Sequence, residues 1–176
     1  MSKQSTVWQE LLKPVVVLVC ISLTAAVLLG FVNSRTKPII EENARLKAEA
    51  VRAAVLAGAK GFEAIDCDTA ALDIDSAYRE TSGLGYVVTS THRGYGGDVT
   101  VTVGLDAEGK IVGISADVKT ETTGVGSRAG EAKYLDRFLG LTGDPGSVDS
   151  LTGATYTSTA VKNGVKAALA AFEKIR

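Results

Sequence analysis

The stretch Asp149-Ser150-Leu151-Thr152-Gly153-Ala154-Thr155, running on into Tyr156-Thr157-Ser158, organises the rest of the chain. Small residues lead up to a hydroxyl, and helical periodicity begins at once. Val161, Val165, Ala168, Leu169, Phe172 and Ile175 recur at three- and four-residue steps. Thr157 or Ser158 is placed to cap that helix. The expected result is a threonine hydroxyl just ahead of a helix N-terminus, where backbone N–H groups point outward and the dipole favours an anion. Thr155 is therefore the candidate carrier of a phosphate-linked cofactor.

Upstream of this stretch the pattern is that of strands. Residues 84–90 are β-rich. Val99, Val101 and Val103 alternate with Thr100 and Thr102, and Val112, Ile114, Ala116 and Val118 alternate again beyond a turn at Asp106-Ala107-Glu108-Gly109-Lys110. Residues 97–118 thus predict a β-hairpin with one face buried and the other wet. Gly94-Tyr95-Gly96-Gly97 leads into it; the glycines fit either an ordinary tight turn or the close approach of a ligand. After the hairpin, Lys119-Thr120-Glu121-Thr122-Thr123-Gly124-Val125-Gly126-Ser127 is a small-residue loop offering N–H groups and hydroxyls to a polar ligand. It enters a short helix over about 130–139. Residues 140–148 predict a connecting loop, and residues 58–76 a Gly- and Asp-rich loop with little regular structure. Within the latter, Asp66, Asp68, Asp73 and Asp75 lack the glycine and terminal glutamate of a calcium loop and are expected on a solvated surface.

The chain has 176 residues, enough for one domain and an appendage. Its formal net charge is -1, and the part from Thr36 onward holds 16 basic against 19 acidic residues. That balance argues against a nucleic-acid partner, which favours a basic face. One histidine, His92, and two cysteines, Cys20 and Cys67, form no cluster with metal-ligand spacing, so no metal site is expected. His92, beside Arg93 in a loop-like stretch, is expected to be solvated.

The N-terminal part is a membrane signal. No charge occurs across residues 14–34, a helix length of about 30 Å, which matches the hydrocarbon core of a bilayer. Its twelve strongly apolar residues favour insertion by about 5 kcal/mol. No small-x-small cleavage site follows Phe31-Val32-Asn33-Ser34, and Val19 rather than a small residue precedes Cys20, so an uncleaved anchor is expected rather than a signal peptide. Lys3 and Lys13 lie on one side; Arg35, Lys37, Arg45 and Lys47 lie on the other. Counting leans toward a cytoplasmic C-terminal part, by a rule that weakens for long translocated domains. A further helix is expected from Thr36-Lys37-Pro38 to about Ala57. The organisation read from sequence is a short tail over 1–13, an anchor over 14–34, a linker helix and loop over 35–76, and a domain over 77–176.

A threonine hydroxyl is a poor nucleophile without a base, and no histidine lies near Thr155 in sequence. A self-activating hydrolase is therefore disfavoured, whereas a threonine modified by another enzyme needs only exposure and small neighbours such as Gly153 and Ala154. On the residues alone, a plain strand-to-helix turn with a capping threonine is the favoured reading.

The motif alters that weighing. Asp149-x-x-Thr152-Gly153-Ala154-Thr155 matches, position for position, the Asp-x-x-Ser/Thr-Gly-Ala-Thr flavinylation motif of the covalent FMN-binding domain family. Glu121-Thr122-Thr123-Gly124-Val125-Gly126 resembles that family's Glu-Thr-Pro-Gly-Leu-Gly signature, with Thr123 in place of proline and Val125 in place of leucine. The resemblance implies FMN joined through its phosphate to Thr155 by a flavin transferase that consumes FAD. It implies Thr152, Gly153, Ala154 and Thr157 around the phosphate, and Glu121, Thr122, Gly124 and Gly126 along the ring or ribityl. Asp149 would be read by the transferase. The layout is similar to the G subunits of Rnf-type ion-translocating ferredoxin:NAD oxidoreductases, and to the C subunits of sodium-pumping NADH:quinone reductases. A redox subunit without catalysis of its own is implied, with iron–sulfur and flavin subunits as partners and Na+ or H+ as the transported ion. The family places the domain outside the cytoplasm, tethered to the cell membrane by one span. Two other readings are a stand-alone extracytoplasmic flavoprotein and a structural subunit whose motif goes unused. The expected fold is α+β: one N-terminal transmembrane helix, then an FMN-binding domain with an antiparallel sheet and flanking helices.

Overall fold

A computed structural model describes residues 3–176, with side chains from Leu12 onward. Met1 and Ser2 of the expected tail lie outside the described residues. The chain divides into two units, the first ending at Lys47 and the second being Ala48–Arg176.

The described residues of the first unit are helical. Helix α1 (Lys3–Val55) is unbroken through both Pro14 and Pro38, where sequence placed an anchor and a separate linker helix. A proline withholds one amide donor but keeps a helical φ, so the ladder resumes beyond it. The apolar stretch is long enough to cross a membrane. Leu18, Ile21, Leu23, Leu28, Leu29 and Phe31 are each at least 60% exposed. So large an apolar surface open on every side of a helix belongs in lipid rather than water. The chain is membrane-associated.

In the second unit, β1 (Phe62–Ala64), helix α2 (Thr69–Leu72), β2 (Ser76–Glu80), β3 (Gly85–Arg93), β4 (Asp98–Asp106) and β5 (Ile111–Asp117) follow in order. The five strands form one antiparallel meander in sequence order. The hairpin is as the alternation predicts, with Gly109 in the left-handed region at its turn (φ +85°). Regular structure also occupies the segment expected to be loop. β1 adds three residues to the sheet edge, and Asp68 caps the single turn of α2 by accepting from the Ala71 N–H. Elements this short carry no periodicity to read.

Beyond β5 come a 3-10 turn (Gly126–Gly130), helix α3 (Ala132–Leu135), two further 3-10 turns and the 21-residue helix α4 (Thr155–Ile175). Helix α4 lies on one face of the sheet. Ala160, Val161, Val165, Ala168 and Phe172 pack with Val88, Val99, Val101, Val103 and Leu105 in one core. Each such buried Val, Leu or Phe side chain stabilises the fold by about 1.5–3 kcal/mol relative to exposure. Phe172 meets Tyr86 edge-on at 5.4 Å, an arrangement worth a further ~1 kcal/mol. On the opposite face Val55 and Leu56 pack against Val87. There a Cβ on Gly104 or Gly113 would run into the Val55 carbonyl.

His92 departs from expectation. Strand β3 continues to Arg93, and pairing opposite Val99 turns the His92 side chain inward. That side chain is 11% exposed, with Nδ1 3.6 Å from an Asp73 carboxylate oxygen. The neighbouring Arg93-Gly94 reads as loop in sequence, which concealed the last residues of the pleat.

Glu80 is fully buried. Its carboxylate accepts from the Ser82 hydroxyl and N–H (both 2.6 Å), the Lys60 N–H (3.0 Å) and the Leu84 N–H (3.1 Å). The Ser82 hydroxyl and then the Lys60 N–H are the main causes that hold its pKa down at about 2, against the opposing effect of burial. A depressed carboxyl stabilises the fold above its unfolded pKa near 4.5, and that stability drains away as pH falls toward 2. Glu80→Gln is expected to lower the thermal midpoint of the full-length protein in detergent at pH 7. The gap to the wild type should close as pH is lowered from about 5 toward 2. A gap that stayed constant with pH would show that the carboxylate charge is not what holds this turn.

Candidate functional site

Three segments converge at the start of α4: the β3–β4 turn (94–97), the loop after β5 (118–127) and the turn entering the helix (149–157). Between them lies a cleft of about 480 Å³, within the roughly 300–1,000 Å³ common for cofactor sites. Glu121, Thr122, Gly126, Gly153, Ala154, Thr155 and Thr157 line it, together with Tyr95, Val125 and Tyr156.

Glu121 joins the three segments. It is 6% exposed. One carboxylate oxygen accepts from the Thr157 hydroxyl at 2.8 Å, and the other from the Gly96 N–H at 3.1 Å. The loop carrying Glu121 folds closely around it. A Cβ on Gly126 would lie 2.6 Å from the Glu121 carboxylate and 2.9 Å from the Thr157 hydroxyl oxygen, so only glycine fits there. The turn opposite is closed by the Gly94 N–H donating to the Gly97 carbonyl at 2.8 Å.

The helix opens differently from the sequence expectation. Neither Thr157 nor Ser158 caps it. Thr155 is itself the first helical residue, the N-cap is Ala154, and among the described residues no side chain caps the first turn. The hydroxyls expected to cap are drawn elsewhere: Thr157 donates to Glu121, and Ser158 Oγ accepts from the Leu151 N–H at 3.0 Å. The chain enters through a turn in which the Ala154 N–H donates to the Leu151 carbonyl. Gly153 supplies the required left-handed residue (φ +80°), and among the described residues nothing lies within 4 Å of where its Cβ would be. Thr155 is exposed, beside amides that have no intrahelical partner. Beneath, burial pushes the Tyr134 phenol above its ordinary pKa, so it stands as a neutral hydroxyl.

Three expected site residues fall outside the cleft lining. Thr152 and Asp149 are exposed on the entering turn, and Gly124 (φ +78°) is exposed with its N–H donating to Ser127 Oγ at 2.8 Å. Conversely, Tyr95, Val125 and Tyr156 line the cleft without having been singled out. The signal available for Tyr95 was its place among glycines, and for Tyr156 its adjacency to Thr155.

The profile of the FMN-binding domain family matches residues 94–170, a range that contains all three converging segments. The chain is 31% identical to the G subunit of the Na(+)-translocating ferredoxin:NAD(+) oxidoreductase complex of Acetobacterium woodii, over 96% of this chain and 94% of that protein. The chain belongs to this G-subunit family. It is also 30% identical to the G subunit of the proton-translocating ferredoxin:NAD(+) oxidoreductase complex of Clostridium ljungdahlii, over 53% of this chain and 56% of that one. The G subunit of the ion-translocating oxidoreductase complex of Shewanella piezotolerans is 30% identical over 56% of this chain and 53% of its own length. The site of this member of the G-subunit family suits FMN on its own terms. An exposed hydroxyl sits in an uncapped helical turn that favours phosphate. An open glycine precedes it, and the far wall is aromatic and apolar.

Thr157→Val keeps the side-chain shape and removes the donor to Glu121. It is expected to lower stability by about 1–3 kcal/mol, the cost of leaving a buried acceptor short of a partner. Combined with Glu121→Ala it should cost less than the two changes summed, since both act on one contact. Strict additivity in chemical unfolding would show that the two side chains are not coupled.

Proposed function

We propose that this protein carries FMN covalently on Thr155, through the flavin phosphate, and relays electrons within a membrane-bound ion-translocating ferredoxin:NAD oxidoreductase. The observation that carries this reading is the position of the Thr155 hydroxyl: exposed, in the cleft of an FMN-binding domain, in the first turn of a helix whose amides no described side chain caps. The G-subunit relatives from ferredoxin:NAD(+) oxidoreductase complexes support the assembly.

The residues would divide the work as follows. Thr155 anchors the phosphate, and the N–H groups of the first turn of α4 orient it; a helix terminus is worth roughly 0.3–1 kcal/mol to such an anion, up to about 2 when partly buried. Gly153 and Ala154 leave room for it, and Thr152 flanks it on the entering turn. Thr122 and Gly126 border the ribityl and ring, Gly124 shapes their loop, and Glu121 holds the loop against α4. Bound FMN supplies the redox chemistry. Among the described residues no carboxylate, imidazole or amine accepts a hydrogen bond from the Thr155 hydroxyl, and the Glu121 carboxylate is engaged by Thr157 and Gly96 instead. Attachment therefore falls to a separate flavin transferase, which reads the exposed Asp149. The anchor is assigned to 14–34 and the FMN-binding domain to 77–176, with that domain outside the cytoplasm as in the family the motif resembles. Partner subunits with iron–sulfur or flavin centres deliver and accept the electrons.

Thr155→Val is expected to abolish flavin fluorescence of the protein band on a denaturing gel, and to remove an FMN-sized increment from the intact mass. Thr155→Ser should retain some. Fluorescence of Thr155→Val at the wild-type level would place the attachment elsewhere. Protease added to intact cells is expected to cut the C-terminal domain; its protection would put the domain in the cytoplasm.

A further inference from the structure

We propose that Tyr95 and Tyr156 form an aromatic seat for the flavin ring, fixing its orientation at the cleft mouth and quenching its emission; this rests on the assignment of FMN to Thr155. Within Ala48–Arg176 the exposed large apolar side chains are Leu84, Tyr95, Val112, Val125, Leu139 and Tyr156. Three of these six line the same cleft. The two tyrosines are the most exposed of the set, at 73% and 71%. Exposed apolar side chains scattered singly need no explanation, but a cluster around a concave site marks a binding surface.

The pair is already arranged for a flat ligand. The ring centroids lie 6.3 Å apart with planes inclined by 44°. The backbone beneath each ring is fixed. Tyr95 sits in a turn closed by the Gly94–Gly97 hydrogen bond and tied to Glu121 through the Gly96 N–H. Tyr156 is in the first turn of a 21-residue helix. Rigid backbone with open side chains is the combination that gives large contact area at little ordering cost, since tyrosine has only two side-chain torsions to fix. Placement selects the ring rather than the phosphate as the occupant. The phosphate and five-carbon ribityl chain carry the ring away from Thr155, and the exposed rings of Tyr156 and, from a different segment, Tyr95 are the aromatic surfaces that line the same cleft to receive it. An oxidised isoalloxazine is flat and electron-poor, and a phenol is electron-rich. Their stacked or edge contact is favourable, and it quenches flavin fluorescence.

The test uses full-length protein matured with its transferase: wild type, Tyr95→Leu, Tyr156→Leu, the double leucine variant and the double phenylalanine variant. The leucine variants are expected to carry the same FMN mass increment and the same fluorescence per mole after denaturation. In the folded state their flavin emission should rise severalfold and its anisotropy fall, most in the double variant. The phenylalanine pair should keep the anisotropy and lose much of the quenching, a split that a merely structural role would not produce. Unchanged emission and anisotropy in the folded double leucine variant would overturn the seat and leave the tyrosines to a protein partner. Failure of the folded variants to acquire FMN would overturn it too, by placing the tyrosines in attachment. A wild type without the mass increment would remove the FMN assignment, and the seat with it.

Discussion

The buried carboxylate of Glu121 is the constraint on which the site depends. Loop 118–127, turn 94–97 and the start of α4 come from distant parts of the chain, and no strand pairing among the described residues joins all three. Glu121 does so through the Gly96 amide and the Thr157 hydroxyl. Removing a carboxylate from water is costly unless its lone pairs are engaged, so the three segments are driven to one arrangement. The close fit of Gly126 against both Glu121 and Thr157 is the steric face of the same constraint. A cleft held this way is organised before any ligand arrives, which lowers the ordering cost of binding.

The same contact explains the open end of α4. A helix normally satisfies one of its first amides with a Ser, Thr, Asp or Asn cap, and an alanine there forfeits about 1 kcal/mol. Here Ala154 takes that place while nearby hydroxyls are committed elsewhere. The local loss is tolerable because the helix buries Ala160, Val161, Val165, Ala168 and Phe172 against the sheet, and packing rather than capping supplies most helical stability. What the missing cap leaves is a set of unpaired donors beside the Thr155 hydroxyl. A rule of local stability is broken at the cleft, where the proposed phosphate would satisfy the same groups.

Much of this was legible in the residues, for reasons of range. The β4–β5 hairpin declares itself through Val99, Val101 and Val103 against Thr100 and Thr102, because pleat alternation is local. The long apolar run and the α4 stripe are equally local. The motif at 149–155 pointed to Thr155 and its small neighbours, and the structure brings most of the expected site residues into one cleft. What escaped is of two kinds. Thr157 was expected to cap because capping is decided within a few residues, whereas its actual partner Glu121 is 36 positions away. β1, α2 and the inward turn of His92 escaped because three- and four-residue elements show no period, and because Arg93-Gly94 resembles loop. Tyr95 escaped because an exposed tyrosine in a glycine turn has no pattern until its neighbour across the cleft is known.

Comparing the two buried glutamates separates scaffold from site. A carboxylate offers about four lone-pair positions. Glu80 receives four donors, two from Ser82 and one each from Lys60 and Leu84, so its capacity is filled by its own turn and the segment after α1. Its depressed pKa is the electrostatic record of that saturation. Glu121 is nearly as buried, yet it receives two donors and borders the cleft. Its remaining acceptor positions have no partner among the described residues, so they are available to an N–H or hydroxyl that enters the cleft. An acid buried only to hold a turn has no reason to keep that capacity. Glu121 braces the walls of the cleft and retains that capacity, which is what the proposed contact with a ligand requires and what separates it from the saturated Glu80.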